Sequence, residues 1–230
     1  MKPYILDSAL GTELENRGEY LPSFKTSIWS AYSLIHNPEI IKQIHIENIE
    51  AGADVITTAN YQATPELLKR EPSAPSYDDL AKRALELCQE AVSETNSSTK
   101  IAGCFPPIHV TFRPDLSSKE KTLRKFYSTL GEIYKDNTDI IICETMASIY
   151  EGVIAGSVAK DFSNIKLSSF ELIEHTIDVN NIDIVEKDIT FNRKNTLTLS
   201  GNLEDVDETV ESILYKNKKN SMILRIDLIF

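Results

Sequence analysis

Two acidic residues each follow a short apolar run in this sequence. Asp7 ends the run that starts at Tyr4, and Glu144 ends the run that starts at Asp139. A carboxylate at the end of a buried strand is costly unless a cation or hydrogen-bond donors compensate it. The ammonium group of a bound amino acid is one such cation. The residues alone leave two interpretations open: a substrate site, or acids that cap the next helix or pair with a nearby Arg or Lys.

Two further runs carry polar or nucleophilic side chains where they end. The β-branched run 54–58 leads into the polar cluster 59–62, and the run 100–105 contains Cys104 near its end. In a parallel α/β sheet or barrel, functional side chains collect where the strands end and the loops begin. We therefore expect these residues to share one end of a sheet with the two acids.

Short β-like runs alternate with longer helical stretches, which is typical of a parallel α/β architecture. Asn37-Pro38-Glu39 supplies a cap, a proline at the first helical position and an acidic first turn, and Gly52 ends that helix. The predicted strands are 4–7, 54–58, 100–105 and 139–144, and the predicted helices begin at Pro38 and near Asp78 and then cover about 119–136 and 148–160.

The pattern is less regular after residue 160. Residues 166–172 suit a fifth strand, 203–216 suit a helix with an acidic start, and 221–230 suit a sixth strand. Residues 174–200 alternate polar and apolar side chains, which is typical of a half-exposed strand. We predict that residues 174–200 form a β insertion.

The composition is that of a globular chain: 230 residues, 41% hydrophobic, with 24 basic and 35 acidic residues and a net charge of −11. This charge argues against nucleic acid as a partner. No run approaches the roughly 18 apolar residues of a membrane span, and Asp7 comes too early for a signal peptide, so we expect a cytoplasmic protein. The cysteines, Cys88, Cys104 and Cys143, suggest neither a disulfide framework nor a metal knuckle, which favours free thiols.

Five ordered blocks between residue 4 and about residue 160 resemble the homocysteine S-methyltransferase family and its homocysteine-binding domain. Five blocks in one order are far more specific than any single motif. The blocks are Leu6-Asp7-Ser8-Ala9-Leu10-Gly11-Thr12-Glu13-Leu14 with Arg17-Gly18, Trp29-Ser30-Ala31 with Asn37-Pro38-Glu39, Ala51 to Thr64, Ala102-Gly103-Cys104-Phe105-Pro106-Pro107 with Phe112-Arg113-Pro114-Asp115, and Cys143-Glu144-Thr145-Met146.

The resemblance implies a (β/α)8 TIM-type barrel in which thiolate-bound zinc activates homocysteine for methyl transfer from S-methylmethionine or a related donor, giving methionine. Zinc keeps a thiol deprotonated near neutral pH, and the thiolate is the nucleophile. The resemblance also implies that Asp7 and Glu144 hold the amino acid part of the substrate, and that Tyr61 and Gln62 line the same pocket.

The sequence departs from the family pattern at positions that bear on activity. Ser8 and Ala9 stand where the family usually has two glycines, so we expect their side chains to narrow the mouth of the substrate pocket. The family's zinc cysteines, at the end of the sixth strand and in a Gly-Gly-Cys-Cys motif at the eighth, have no counterpart here. The expected fold class is therefore α/β, an incomplete (β/α)8 barrel lacking the last strands. We expect a single domain over 1–230, well matched over 1–160 and divergent over 161–230.

The three cysteines are not expected to rebuild the zinc site. Neighbouring residues of a strand point to opposite faces, so Cys143 faces the helices if Glu144 faces the pocket. Cys88 lies on an apolar helix face, where packing is expected, and for His45 we expect packing or a surface hydrogen bond rather than metal ligation. His109 follows the third strand, where a polar role in the pocket is one interpretation. We therefore predict that no zinc is bound and that catalysis by the chain itself is impaired or absent.

Three functions stay open at this stage. The first is a homocysteine S-methyltransferase-like protein that binds a homocysteine-like amino acid and a methyl donor. The second is a non-catalytic pseudoenzyme or fragment that binds a partner subunit, as a homo- or hetero-oligomer, through the open edge of the barrel, because an exposed strand edge invites pairing. The third is a damaged gene product with little function.

Overall fold

The computed structural model describes residues 4–23, 25, 27–110, 113, 115–116, 118–146 and 148–162, and the backbone of four later strands. Among the helices described, none combines the length and the apolar composition needed to cross a membrane. The helices are α1 Leu10–Asn16, α2 Ala31–His36, α3 Pro38–Glu50, α4 Tyr77–Glu94, α5 Glu120–Tyr134 and α6 Ile149–Phe162. The strands are β1 Val55–Thr57, β2 Lys100–Phe105, β3 Ile140–Met146, β4 Phe170–Ile173, β5 Ile189–Phe191, β6 Leu197–Gly201 and β7 Ile226–Ile229.

The first three strands form a parallel sheet, as the sequence predicted. β1 pairs with β2 so that Thr57 lies opposite Ala102, and β2 pairs with β3 so that Cys104 lies opposite Ile142. The α4 helix connects β1 to β2 and the α5 helix connects β2 to β3, which is the crossover that parallel strands require. The α/β architecture is therefore confirmed for this part of the chain.

The four later strands join the same sheet in the antiparallel sense. The strand order is β1-β2-β3-β7-β4-β6-β5, and β7 runs antiparallel to both β3 and β4. The sequence predicted strands near β4 and β7 as members of an incomplete barrel of parallel strands, and their antiparallel pairing differs from that expectation. β5 and most of β6 lie within the predicted β insertion 174–200, whereas the predicted helix 203–216 lies outside the described residues. The incomplete barrel stays a prediction.

The predicted first strand, 4–7, is reduced to a single bridge between Leu6 and Val55. Tyr4, Ile5 and Leu6 are 56%, 60% and 42% exposed. The expectation of a buried strand is wrong here, because this run lies outside β1 with no further described strand covering it. The apolar side chains at this edge therefore face solvent in the described part of the chain.

The α3 and α4 helices begin in different ways. Ser76 caps α4, since its Oγ accepts the Asp79 N–H at 3.4 Å. Asn37 was predicted to cap α3, but its side chain makes no capping hydrogen bond. Instead Asn37 Nδ2 donates to the carboxylate of Glu19 at 3.2 Å. The start of α3 is consequently tied to the segment that follows α1, and Pro38 with Glu39 in the first turn provides the local start signal.

The largest apolar core lies between the sheet and the helices. The rings of Phe105 and Tyr127 stack with their centroids 5.1 Å apart. Tyr134 lies so close to Gly103 that a Cβ there would be 2.5 Å from ring atom Cδ2. Residue 103 must therefore be glycine for α5 to reach β2. Other members of this core are Ile56, Leu85, Cys88, Leu123, Phe126, Leu130, Ile141, Cys143, Ala155 and Val158.

His45 and Cys88 form a buried pair between α3 and α4. His45 Nε2 lies 3.5 Å from Cys88 Sγ, and the two residues are 1% and 0% exposed. The predicted packing of Cys88 is confirmed, and His45 packs in the interior rather than making a surface hydrogen bond. His45 Nδ1 has no hydrogen-bond partner among the described residues, and burial lowers the pKa of His45 from 6.5 to about 4. His45 is therefore neutral in the folded chain near pH 7.

We expect the folded state to lose stability as the pH falls from 6.5 to about 4 because of His45. In that range the unfolded chain binds a proton at this imidazole and the folded chain does not, so acid favours unfolding, by up to about 3 kcal/mol. Urea unfolding of the His45→Leu variant should show a weaker pH dependence there. The matched control is His36→Leu, which changes an exposed histidine on α2. An unchanged pH dependence in His45→Leu would contradict the assignment.

Candidate functional site

The strands β1 to β3 present one face to the helices and one face away from them. Val55, Ala102, Ile140 and Ile142 form a separate apolar cluster on the second face. Three residues come two positions after members of this cluster: Thr57 after Val55, Cys104 after Ala102 and Glu144 after Ile142. Because side chains two positions apart share a face of a strand, all three lie on this face, near the carboxyl ends of their strands. This end of the sheet is the candidate functional site.

Asp7 is attached to this end of the sheet by Thr57. The Thr57 N–H donates to Asp7 Oδ2 at 2.7 Å, and Thr57 Oγ1 donates to Asp7 Oδ1 at 3.0 Å. Burial raises the pKa of Asp7 from 3.8 to about 6, although the hydrogen bonds from Thr57 act in the opposite direction. Hydrogen-bond donors rather than a cation contact this carboxylate in the described part of the chain. A cationic ligand would therefore pair favourably with this carboxylate.

Glu144 is half-buried at the end of β3 and has a thiol partner on the neighbouring strand. Cys104 Sγ lies 3.1 Å from Glu144 Oε2, and the Cys104 side chain is fully buried. The next residue, Thr145, has a φ of 49°. A left-handed backbone is a genuine outlier for a β-branched residue, and such strain clusters at functional sites.

Gln62 and Tyr61 follow β1 in the loop for which the family resemblance implies a place in the pocket. Gln62 is 3% exposed, its φ is 66°, and its Oε1 accepts no hydrogen bond within the described residues. Tyr61 is half-buried beside it. A buried amide oxygen without a donor is costly, so Gln62 is a candidate acceptor for a ligand N–H.

Ser8 lies on the surface and not within the protein. Its side chain is exposed, and its N–H donates to Asn48 Oδ1 at 3.1 Å. Ala9, the other residue at which the resemblance implies a glycine, is also exposed. An exposed position is compatible with the mouth of a pocket, and the narrowing of that mouth stays a prediction.

A buried polar network fixes the backbone next to the site. Thr58 Oγ1 and the Tyr134 hydroxyl both donate to Asn60 Oδ1, at 2.7 and 2.9 Å. Asn60 Nδ2 donates to the Cys104 carbonyl at 3.1 Å, and the Cys104 N–H donates to Thr58 Oγ1 at 2.9 Å. The ends of β1 and β2 are therefore joined by side chains where their strand pairing stops.

Glu151 is a buried acid that the sequence analysis did not identify. It is 2% exposed on α6, and its Oε1 accepts the Ile108 N–H at 2.7 Å and the Tyr127 hydroxyl at 2.8 Å. Burial raises its pKa, against the effect of these two donors. Glu151 thus fastens the loop after β2 to α5 and α6. A glutamate within a helix normally indicates an exposed face, so the sequence carried no signal for this role.

The thiols of this chain do not fit the zinc site that the family resemblance implies. Cys143 lies in the core on the helix side of the sheet, as predicted, Cys88 lies between α3 and α4, and Cys104 lies on the opposite face of the sheet. Burial raises the pKa of both Cys88 and Cys143, which disfavours a thiolate at either position. Among the described residues, no cluster of three His, Cys, Asp or Glu side chains could hold a metal ion.

The four histidines do not change this result within the described ranges. His109 is half-buried, its Nε2 lies 3.0 Å from Ser118 Oγ, and burial lowers its pKa. His45 is buried against Cys88, and His36 is exposed on α2. His175 lies outside the described residues. A role for His109 in the pocket stays a prediction.

Parts of this chain are similar in sequence and fold to known proteins. The family model described as homocysteine S-methyltransferase matches residues 4–216. Homocysteine S-methyltransferase 1 of Arabidopsis thaliana is 42% identical over 88 residues, which are 38% of this chain and 26% of that protein. The homocysteine S-methyltransferase of Escherichia coli strain K12 is 30% identical over 161 residues, which are 64% of this chain and 51% of that protein.

A solved structure agrees with the sequence comparison. The metallated form of the homocysteine methyltransferase MmuM from Escherichia coli superposes with a TM-score of 0.59 at 27% identity, and the match covers 70% of this chain and 60% of that chain. The alignments with the Arabidopsis and Escherichia coli sequences cover 26% and 51% of those relatives, so this chain spans about half of their length or less.

Proposed function

Because the chain belongs to the homocysteine S-methyltransferase family, we propose that Asp7 and Glu144 bind the amino acid part of homocysteine. The observation that carries this proposal is the Asp7 carboxylate, which Thr57 holds at the end of the sheet and whose pKa burial raises to about 6. The ammonium group of an amino acid would stabilise the ionised form of this carboxylate. Binding of such a ligand would therefore compensate the cost of burying the charge of Asp7.

Other residues of the site take secondary roles in this proposal. The Gln62 amide oxygen, which accepts no hydrogen bond from a described residue, would accept a further hydrogen from the ammonium group. Tyr61 would line the same pocket, and Ser8 would stand at its entrance. The methyl donor that suits this family is S-methylmethionine or a related compound.

We do not assign methyl transfer to this chain on its own. Without a bound cation, the thiol of homocysteine keeps a pKa of about 8.5 and stays mostly protonated at pH 7. Since the three cysteines lie apart in the fold, we propose that the chain binds no zinc by itself and that its own catalysis is impaired or absent. Three free thiols also support a reducing compartment such as the cytoplasm.

Calorimetric titration of the purified protein with L-homocysteine tests the binding function. We expect saturable binding that Asp7→Asn weakens. The matched control is Asp139→Asn, because Asp139 also accepts a backbone N–H, that of Ile101 at 2.9 Å, but at the opposite end of β2 and β3. Absence of binding by the wild type, or equal weakening by both variants, would contradict the proposal.

A turnover assay separates binding from catalysis. Incubation with homocysteine, S-methylmethionine and zinc should yield methionine slowly or not at all, because the thiols that would hold zinc are on different faces of the fold. Fast formation of methionine, with one zinc bound per chain, would show that the proposed loss of catalysis is wrong.

The exposed N-terminal edge favours a second function, that of a non-catalytic subunit. Ile5 and Leu6 are 60% and 42% exposed beside β1, and such an edge can pair with a strand of another chain. Sedimentation should then show an oligomer that the double variant Ile5→Lys, Leu6→Lys dissociates. Tyr150→Lys is the matched control, since Tyr150 is 47% exposed on α6, away from this edge. A monomer at all concentrations would exclude self-association.

A further inference from the structure

Each of the two acids of the candidate site accepts a hydrogen bond from a side chain of a neighbouring strand. Asp7 receives the hydroxyl of Thr57 from β1, its neighbouring strand, at 3.0 Å. Glu144 receives the thiol of Cys104 from β2, its neighbouring strand, with Sγ 3.1 Å from Oε2. In each pair a strand side chain on the face away from the helices contacts a carboxylate of the neighbouring segment: Asp7 just after the Leu6 bridge, and Glu144 within β3. The thiol therefore occupies the place that a hydroxyl occupies in the other pair.

Hydrogen bonds to the N–H and to the carbonyl of Cys104 fix the backbone that carries the thiol. The Cys104 N–H donates to Thr58 Oγ1 at 2.9 Å, and its carbonyl accepts from Asn60 Nδ2 at 3.1 Å. The residue is fully buried, so its side chain has little freedom to turn away. A donor whose backbone is held in this way can impose an orientation on its acceptor.

The neutral thiol is the form that fits this geometry. A thiol is a weak donor, but a charged acceptor strengthens the hydrogen bond. A thiolate at the same distance from a carboxylate would be repelled and would leave Oε2 without this donor. Cys104 therefore acts on Glu144 as a donor rather than as a nucleophile or metal ligand.

We propose that Cys104 is a positioning residue: its thiol holds Glu144 in the orientation in which the carboxylate receives the amino acid substrate. The proposal rests on the proposed function for the identity of the ligand, but not for the contact between the thiol and the carboxylate. Cys143 provides a matched comparison, because it is also fully buried but lies on the opposite face of the sheet, in the core.

Infrared spectroscopy tests the contact without any ligand. The S–H stretching band lies in a spectral region free of other protein bands, and the difference between the wild type and Cys104→Ala isolates the Cys104 band. We expect this band at a lower frequency than that of a thiol without an acceptor. Glu144→Gln should move it to a higher frequency, whereas Cys143→Ala should leave it unchanged. A Cys104 band that does not respond to Glu144→Gln would overturn the proposal.

Homocysteine titration of the same variants tests the consequence for binding. Loss of one weak donor in Cys104→Ala should reduce the affinity by about 3- to 10-fold. Cys104→Ser keeps a donor and should restore most of the affinity. Cys143→Ala should lower the unfolding temperature through its core cavity and leave the affinity unchanged. A purely structural role for Cys104 would lower the unfolding temperature in both alanine variants without a specific loss of affinity.

The two measurements distinguish the two ways in which the assignment can fail. If the infrared band responds to Glu144→Gln but the wild type binds no homocysteine, the proposed function is wrong and the hold of the thiol on Glu144 is supported. If the wild type binds homocysteine and Cys104→Ala binds it equally well, the positioning role is wrong and the proposed function is supported.

Discussion

The Asp7→Asn variant is expected to be more stable than the wild type at pH 7, and to bind homocysteine at least ~10-fold more weakly. The gain in stability follows because burial raises the pKa of Asp7 from 3.8 to about 6, and a neutral amide avoids the desolvation of a charge. The full shift corresponds to about 3 kcal/mol, and for a half-buried side chain we expect about 1–2 kcal/mol. The weaker binding follows because an amide cannot pair with the charge of an ammonium group.

The pH dependence of this variant has a definite sign. Below pH 3.8, Asp7 is protonated in the folded and unfolded chains and contributes nothing. From 3.8 to about 6 the unfolded chain ionises first, so the wild type loses stability relative to Asp7→Asn as the pH rises, and above about 6 the difference is constant. Homocysteine affinity of the wild type should instead increase as the pH rises through about 6. Thermal unfolding and calorimetry over this range measure both trends.

Equal stabilities of Asp7→Asn and the wild type across this range would show that the carboxylate is not strained by burial. Asp139→Asn serves again as the control, since it lies at the other end of the strands. A stability gain in Asp7→Asn without a loss of affinity would place the ligand elsewhere.

The Glu151→Ala variant is expected to lose about 3–5 kcal/mol of unfolding free energy. It leaves the Ile108 N–H and the Tyr127 hydroxyl without the carboxylate that accepts from both at 2.7 and 2.8 Å, and it opens a cavity under the loop after β2. Glu151→Gln keeps an acceptor oxygen and should lose much less. Because burial raises the pKa of Glu151, a neutral side chain is tolerated there.

Urea unfolding at neutral pH measures these differences. Glu132→Ala is the matched control, since Glu132 is exposed on α5 and should change the unfolding free energy by less than about 0.5 kcal/mol. If Glu151→Ala and Glu132→Ala unfold at the same urea concentration, the Glu151 carboxylate does not fasten the loop.

The helices α3 to α6 and the parallel strands β1 to β3 could be predicted because their signals are local, whereas the short helices α1 and α2 were not predicted. Pro38 starts α3 and Gly52, with φ 98°, follows its end. The alternation of side chains along β3 correctly placed Cys143 towards the helices and Glu144 on the other face. Both results depend on neighbouring residues only, which is why a single sequence was enough.

Other features could not be predicted because they depend on pairs that are distant in sequence. The contact between Cys104 and Glu144 joins residues 40 positions apart, and Glu151 resembles any surface glutamate until the loop around Ile108 packs on it. An apolar run indicates burial, but the run ending at Asp7 lies at an edge and stays exposed. Strand direction, as in β7, is likewise set by partners and not by the strand's own residues.

Gln62 and Thr145, with φ values of 66° and 49°, hold a backbone conformation that side chains rarely adopt, at a cost of about 1–3 kcal/mol each. With the buried carboxylate of Asp7, these two strained residues place three energetically unfavourable features at one end of the sheet. If a lineage no longer needed to recognise the ligand, substitutions such as Asp7→Asn or Thr145→Gly would raise the stability of its protein. Residues at this end of the sheet should then be replaced earlier in evolution than residues of the core between the sheet and the helices. Natural populations that retain all three residues would reveal purifying selection on recognition rather than on folding.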